Sequence, residues 1–109
     1  MATIEDFMKL DIRVGTIIDA ELNKKAKKPA YKLKIDFGKD LGIKTSSAQI
    51  TEVYKQEQLL NKQVICVVNF PPRQVADVMS EVLVLGTESK QGIVLLRTDE
   101  KVENGDKIS

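Results

Sequence analysis

The sequence has no histidine, no tryptophan and a single cysteine among its 109 residues. Histidine and cysteine supply most zinc and transition-metal ligands, and histidine is also the usual general base. Their scarcity excludes the common metal sites and any nucleophile that depends on a Ser–His or Cys–His pair. A glycine-rich loop of the kind that cradles phosphate is also missing. We therefore expect a binding module that is not an enzyme and that uses no cofactor and no metal.

Long apolar runs and an excess of one charge are missing too. No eighteen-residue apolar stretch occurs, and the N-terminus does not resemble a signal peptide. The net charge is only +1. Cys66 lies within an apolar run and has no partner, so we interpret it as a small buried hydrophobe. These features predict one domain, residues 1–109, in a reducing cytoplasm and without membrane insertion.

Basic residues are nevertheless concentrated in one segment. Between Asn23 and Lys34 there are six lysines and no acid. The six are Lys24, Lys25, Lys27, Lys28, Lys32 and Lys34. Such a run is either a solvated loop or a local patch that attracts anions, and both interpretations stay open.

Alternating apolar residues predict a small β-barrel. The stretch Tyr31–Phe37 alternates most regularly, and an earlier strand over Asp11–Glu21 has a predicted bulge or bend at Gly15. Further strands are predicted over Ile43–Gln49, Gln63–Val68, Glu81–Leu85 and Ile93–Leu96, with a helix capped by Thr3 at the N-terminus and a second short helix after Thr51. The pattern is typical of an all-β chain with short helices, arranged as a five-stranded Greek-key OB-fold barrel. Other small β-barrels fit it almost as well.

The stretch Val64–Gly86 contains the predicted site. Pro71 and Pro72 interrupt two apolar strands, so the chain leaves the sheet at Asn69 and returns near Glu81. Loops that rigid strands hold in place often carry binding residues. This loop offers two amides, an aromatic ring, a guanidinium and a hydroxyl, on Asn69, Gln74, Phe70, Arg73 and Ser80.

Several segments resemble the CsaA family, small bacterial and archaeal proteins described as export-related chaperones. The segments are Asp6-Phe7, Leu10–Gly15, Ser47–Thr51, Val67–Arg73 and Ser80–Gly86, so the likeness covers essentially the whole chain. CsaA lies within a wider tRNA-binding-domain family, with the C-terminal appendix of methionyl-tRNA synthetase and the EMAP-II-type cytokine domain. The resemblance implies an OB-fold homodimer in which the N-terminal helix (1–10), C-terminal strand extensions and the tail (97–109) form the interface. The implied interface residues are Ile4, Phe7, Met8, Val102 and Ile108.

Matching the tRNA-reading loop of the wider family position by position favours polypeptide over tRNA. Asn69, Pro72 and Ser80 match that loop, whereas Gln74 and Asp77 depart from it. The departures, with Glu81-Val82-Leu83, remove a positive charge and add two negative ones, which works against phosphate contact.

Two binding functions remain as predictions. The first is capture of unfolded or export-bound polypeptides against Phe70, Val75, Val78 and Met79, although these last three would otherwise plug one end of the barrel. The alternative is tRNA or RNA binding in a basic groove. The candidate residues for either ligand are Lys32, Lys34, Lys44, Ser46, Asn69, Phe70, Arg73, Gln74, Met79 and Ser80. A structural dimer that modulates another protein is a third interpretation.

Overall fold

Five antiparallel strands curl into a half-barrel around one apolar core. The computed structural model describes all of residues 1–109. In chain order its elements are α1 (Ile4–Met8), β1 (Ile12–Asn23), β2 (Ala30–Asp36), β3 (Ile43–Ala48), α2 (Gln56–Leu59), β4 (Gln63–Val67), β5 (Arg73–Val75), β6 (Val78–Ser80), β7 (Leu83–Val84), β8 (Gly86–Ser89) and β9 (Gly92–Leu95). The main sheet has the order β3-β2-β1-β4-β7. The predicted fold class, mostly β with an OB-like strand order, is confirmed.

The two outermost strands of this sheet meet and bring the barrel close to closure. The backbone N–H of Glu81, just before β7, donates to the carbonyl oxygen of Thr45 in β3 at 2.8 Å. The backbone N–H of Thr45 in turn donates to the Glu81 carboxylate at 3.0 Å. This reciprocal pair fixes the chain that leaves β6 against the edge of β3.

The strict alternation in β2 predicts the core correctly. Tyr31, Leu33, Ile35 and Phe37 are all buried and belong to one apolar cluster. Cys66 in β4 is buried in the same cluster, and loss of water around it raises the pKa of its thiol to about 12. The cysteine is therefore a core residue, as predicted.

The irregularity in β1 lies at Ile18, and its predicted position at Gly15 was wrong. The pairing of β1 with β2 shifts register between Ile17 and Asp19. Gly15 instead pairs regularly with Val64 of β4. A Cβ atom on Gly15 would lie 2.6 Å from Ile35 and 2.8 Å from the ring of Phe37. Glycine is needed there because the core comes too close to the backbone, not because the strand bends.

Two further local predictions were wrong. The second helix begins after Lys55, where the side chain of Gln58 accepts from the Lys55 backbone N–H at 2.7 Å, so Thr51 is not its N-cap. Residues 69–80, expected to lack regular structure, contain the hairpin of β5 and β6. Its turn uses Ala76, which adopts a positive φ of 53°.

The two chain ends come together beside the first half of β1. In the tail, the Ile108 N–H donates to the Ile12 carbonyl at 2.8 Å, and the Val14 N–H donates to the Asp106 carbonyl at 3.0 Å. At the other end, Thr3 caps α1 in a reciprocal capping box with Asp6, as predicted. Neither helix has the length or the apolar character to cross a membrane.

Candidate functional site

Serine side chains hold the β5–β6 hairpin against β3. The Ser47 backbone N–H donates to the Ser80 hydroxyl at 3.1 Å, and the Ser46 hydroxyl donates to the Val82 carbonyl at 2.8 Å. Ser46 is only 1% exposed. In this structure Ser80 therefore fixes the hairpin, and Ser46, which faces the interior, fixes the segment that directly follows it.

A groove of about 320 Å³ lies between the two prolines and the hairpin, and we call it the corner groove. Its lining residues are Ser47, Phe70, Pro71, Arg73, Val75, Ser80, Glu81, Val82 and Leu83. Phe70 is 44% exposed and Leu83 is 49% exposed, so both present apolar surface to solvent at this groove. Arg73 is exposed and has no ion pair. The corner groove thus combines apolar walls with one free guanidinium and with the Glu81 carboxylate, which accepts from the Thr45 N–H.

A second, more basic cavity adjoins the corner groove. It has a volume of about 580 Å³ and is lined by Lys25, Ala26, Lys27, Lys28, Gln49, Arg73, Gln74, Val75 and Ala76. Arg73 and Val75 line both spaces, so the corner groove and this basic cavity are neighbours along the hairpin. Lys25 forms an ion pair of 3.6 Å with Asp77 at the hairpin turn. The fold therefore brings the lysine-rich segment and the Pro-Pro loop together, although they are far apart in sequence.

Three predicted lysines lie outside both spaces. Lys32 and Lys34 of β2 alternate with buried residues and lie on the outer face of the sheet, where Lys32 pairs with Ser47 of the corner groove. Lys44 pairs with Ile35, whose side chain is buried, so Lys44 lies on the opposite face. A single ligand in the corner groove cannot reach all three lysines along one face.

Gln74 and Met79 form a cross-strand pair on the hairpin. The Gln74 amide donates to the carbonyl of Ala76 at 2.7 Å, and Met79 is 48% exposed. Gln74 lines the basic cavity, whereas Met79 lines neither space. Val78, the other predicted apolar contact of β6, is buried and does not line either space.

Asn69 lies at the start of the Pro-Pro loop, and its side chain points toward the N-terminal segment. Its Oδ1 accepts from the backbone N–H of Asp11 at 2.8 Å, and its Nδ2 donates to the carbonyl of Lys9 at 2.8 Å. Both ends of the amide are used within the chain. Asn69 does not line the corner groove or the basic cavity.

Four of the five predicted interface residues lie together around an apolar depression of about 350 Å³, which we call the end face. Its lining residues are Ile4, Phe7, Met8, Leu10, Lys107, Ile108 and Ser109. Val102 lies elsewhere, since its backbone N–H and carbonyl both bond to the side chain of Gln63. No side chain of α1 is buried.

Sequence reasoning missed Val82 and Leu83 as walls of the corner groove. The continuous apolar run Val82–Leu85 predicted a strand buried on both faces, but Leu83 is half exposed. The signal that could have found Leu83 is that successive side chains of a strand point to opposite faces. Val82 points into the core, so the side chain of Leu83 must point outward.

Comparison with known proteins decides the family. The sequence model described as "Putative tRNA binding domain" matches residues 12–107. The chain belongs to the tRNA-binding domain family. Methionine–tRNA ligase from Pyrococcus horikoshii is 39% identical over 95% of this chain, but the chain spans only 14% of that ligase. A second ligase, from Christiangramia forsetii, is 42% identical over 92% of the chain, and again the chain covers 14% of it.

Solved structures place the chain with the CsaA type within the tRNA-binding domain family. The crystal structure of the CsaA chaperone protein from Picrophilus torridus is 56% identical, with a TM-score of 0.96 and full coverage of both chains. CsaA from Bacillus anthracis str. Ames is 52% identical, with a TM-score of 0.93 over 100% of this chain and 99% of that one. The MetRS-related protein from Pyrococcus horikoshii is 29% identical, with a TM-score of 0.87 over 100% and 98%.

Proposed function

We propose that this protein binds unfolded or export-bound polypeptides in the corner groove and makes or breaks no covalent bond. The observation that carries the proposal is the exposed apolar wall of Phe70 and Leu83 beside the free guanidinium of Arg73. An unfolded chain exposes apolar side chains together with unpaired backbone carbonyls. Phe70 and Leu83 can contact the apolar side chains, and the guanidinium of Arg73 can donate to the carbonyl oxygens. The likeness to CsaA chaperones over the full length supports it.

Titration of a fluorescein-labelled peptide with an apolar centre tests this function. We expect saturable binding, followed by fluorescence anisotropy, that changes little when salt is raised. Burial of apolar surface is not weakened by screening, whereas nucleic-acid binding falls steeply with salt because counterions are released. Absence of binding at high micromolar peptide would refute the proposal.

The second candidate function is tRNA or RNA binding, which the basic cavity and the family favour. Lys25, Lys27, Lys28 and Arg73 surround that cavity, and the exposed ring of Phe70 can stack on a base. The presence of Asp77 beside Lys25 weakens this candidate, because it neutralises one of the cations. Neutralising Lys24, Lys25, Lys27 and Lys28 together should abolish a tRNA gel shift if the cavity is the docking surface, and an unchanged shift would contradict it.

We also propose that the protein works as a homodimer in which a second copy covers the end face. A five-residue helix with no buried side chain has little stability of its own, so α1 needs packing. The net charge of +1 places no strong repulsion between copies. Sedimentation velocity should show a dimer that M8K dissociates, while M79K, a matched change at an exposed methionine on the hairpin, should leave it intact. A wild-type monomer at micromolar concentration would refute the interface.

A cytoplasmic location is part of the same proposal. The only cysteine, Cys66, is buried and unpaired, which is typical of proteins that stay in a reducing compartment.

A further inference from the structure

The amide of Asn69 joins the Pro-Pro loop to the segment that carries the end face. It accepts from the N–H of Asp11 and donates to the carbonyl of Lys9, both at 2.8 Å. The backbone N–H of the preceding residue, Val68, donates to the carbonyl of Asp11 at 2.8 Å. Two hydrogen bonds therefore fix Asn69, and a third fixes Val68, to the segment that directly follows α1.

Asp11 extends this junction to the C-terminal tail. Its carboxylate accepts from Nε of Arg13 at 2.6 Å, and Nη1 of Arg13 donates to the carbonyl of Gly105 at 3.0 Å. The hydrogen bond to Asp11 is the main cause that raises the pKa of Arg13 above its usual value. Through Arg13 the junction reaches the tail that places Ile108 at the end face.

We infer that Asn69 is a positioning residue that links the two surfaces, so that pairing of two chains through the end face and peptide binding in the corner groove strengthen each other. The inference rests on the proposed function. The matching of Asn69 to the family loop predicted a ligand contact, whereas its two amide atoms are already bonded within the chain and it lines neither space. Its effect on a ligand must pass through its neighbour Phe70.

Dimerisation should raise peptide affinity, because it holds the wall of the corner groove in place before the peptide binds. A second copy on the end face would restrict α1 and hold Lys9 and Asp11 in place, which fixes the amide of Asn69 between them. Phe70 and Pro71 would then be held in the geometry that forms the corner groove before the ligand arrives. A ligand that meets an ordered wall loses less conformational entropy on binding, so its affinity rises.

Three variants and one reciprocal measurement test the linkage. N69A removes both side-chain bonds, N69D retains an acceptor for Asp11 but cannot donate to Lys9, and M8K disrupts the end face without touching the groove. We expect N69A, N69D and M8K each to lower peptide affinity by about tenfold, since coupling between sites is typically about 5- to 150-fold. In N69D a carboxylate oxygen faces the Lys9 carbonyl oxygen in place of the donor. L60A is the control, because Leu60 is comparably exposed but lines neither surface.

The reciprocal measurement is a readout that a merely structural role would not move. Saturating the wild type with the fluorescein peptide should tighten self-association, measured by sedimentation equilibrium, by the square of the factor that M8K loses in peptide affinity, because each dimer has two grooves. Unchanged peptide affinity in M8K, or unchanged self-association with peptide, overturns the inference even if N69A fails to fold. Peptide binding by the wild type without linkage refutes this inference alone, whereas no binding by the wild type refutes the proposed function as well.

Discussion

Replacing Phe70 with alanine tests whether the apolar wall of the corner groove holds the ligand. Phe70 is 44% exposed in the free protein, so part of its surface remains available to a partner. A buried phenylalanine covers roughly 200 Å², so its exposed share is about 90 Å². At about 25 cal/mol per Å² this surface is worth about 2 kcal/mol if a ligand covers all of it. Because some stays wet and the ligand loses freedom on binding, we expect F70A to lose about 1–2 kcal/mol, or roughly 5- to 30-fold in affinity.

The assay for F70A is fluorescence anisotropy with the same fluorescein peptide, read beside L60A. Leu60 is 46% exposed and lines a different, polar cavity beside residues 97–101. Both truncations remove a half-exposed apolar side chain, so similar losses of folding stability are expected in thermal unfolding. Only F70A should weaken peptide binding. Equal affinities of F70A and the wild type, within twofold, would refute the assignment of the ligand to this groove.

Three further predictions concern charge, packing and reactivity. D77N frees Lys25 from its ion pair of 3.6 Å, so affinity for poly-uridine RNA should rise while peptide affinity stays unchanged. The slope of log affinity against log salt should steepen by about 0.7 for one added phosphate contact. An unchanged slope would show that Asp77 does not weaken RNA binding at the basic cavity. G15A forces a methyl group to within 2.6 Å of Ile35 and should lower the free energy of unfolding by about 1–3 kcal/mol in urea titration, whereas a neutral effect would mean that the core yields easily. Cys66, with its pKa raised to about 12, should resist iodoacetamide at mildly alkaline pH until the protein is denatured, and rapid labelling of the native state would contradict its burial.

Strands with one buried face could be predicted from the sequence, because apolar residues at every second position mark the face that packs on the core. Tyr31–Phe37 is the clearest case, and its four apolar residues are all buried. The long strand β1 was also predicted, but the shift at Ile18 depends on how β1 changes partners from β4 to β2, which no local pattern records.

The hairpin inside the Pro-Pro loop could not be predicted, since each of its strands has only three residues. Its turn has Ala76 and Asp77, whereas a tight hairpin turn is usually predicted from glycine or asparagine at these positions. The hairpin is held by tertiary hydrogen bonds, such as the one from the Ser47 N–H to the Ser80 hydroxyl.

Part of the candidate site was accessible to sequence reasoning and part was not. The loop residues Phe70, Arg73 and Ser80 do line one groove. The side chain of Asn69 turns away toward Lys9 and Asp11, and Lys44 falls on the opposite face from Lys32. Side-chain direction at the ends of short strands depends on register across the sheet, and that register is set by distant partners.

The most direct test of the central claim is a methyl NMR titration of the full chain. The ligand is the peptide of the anisotropy assay without its fluorescein label. If the corner groove holds the polypeptide, the methyl signals of Val75, Val82 and Leu83 should shift in a saturable way, while those of Leu60 stay fixed. Saturable shifts confined to Leu60, or no shifts at Val75, Val82 and Leu83 at saturating peptide, would contradict the account.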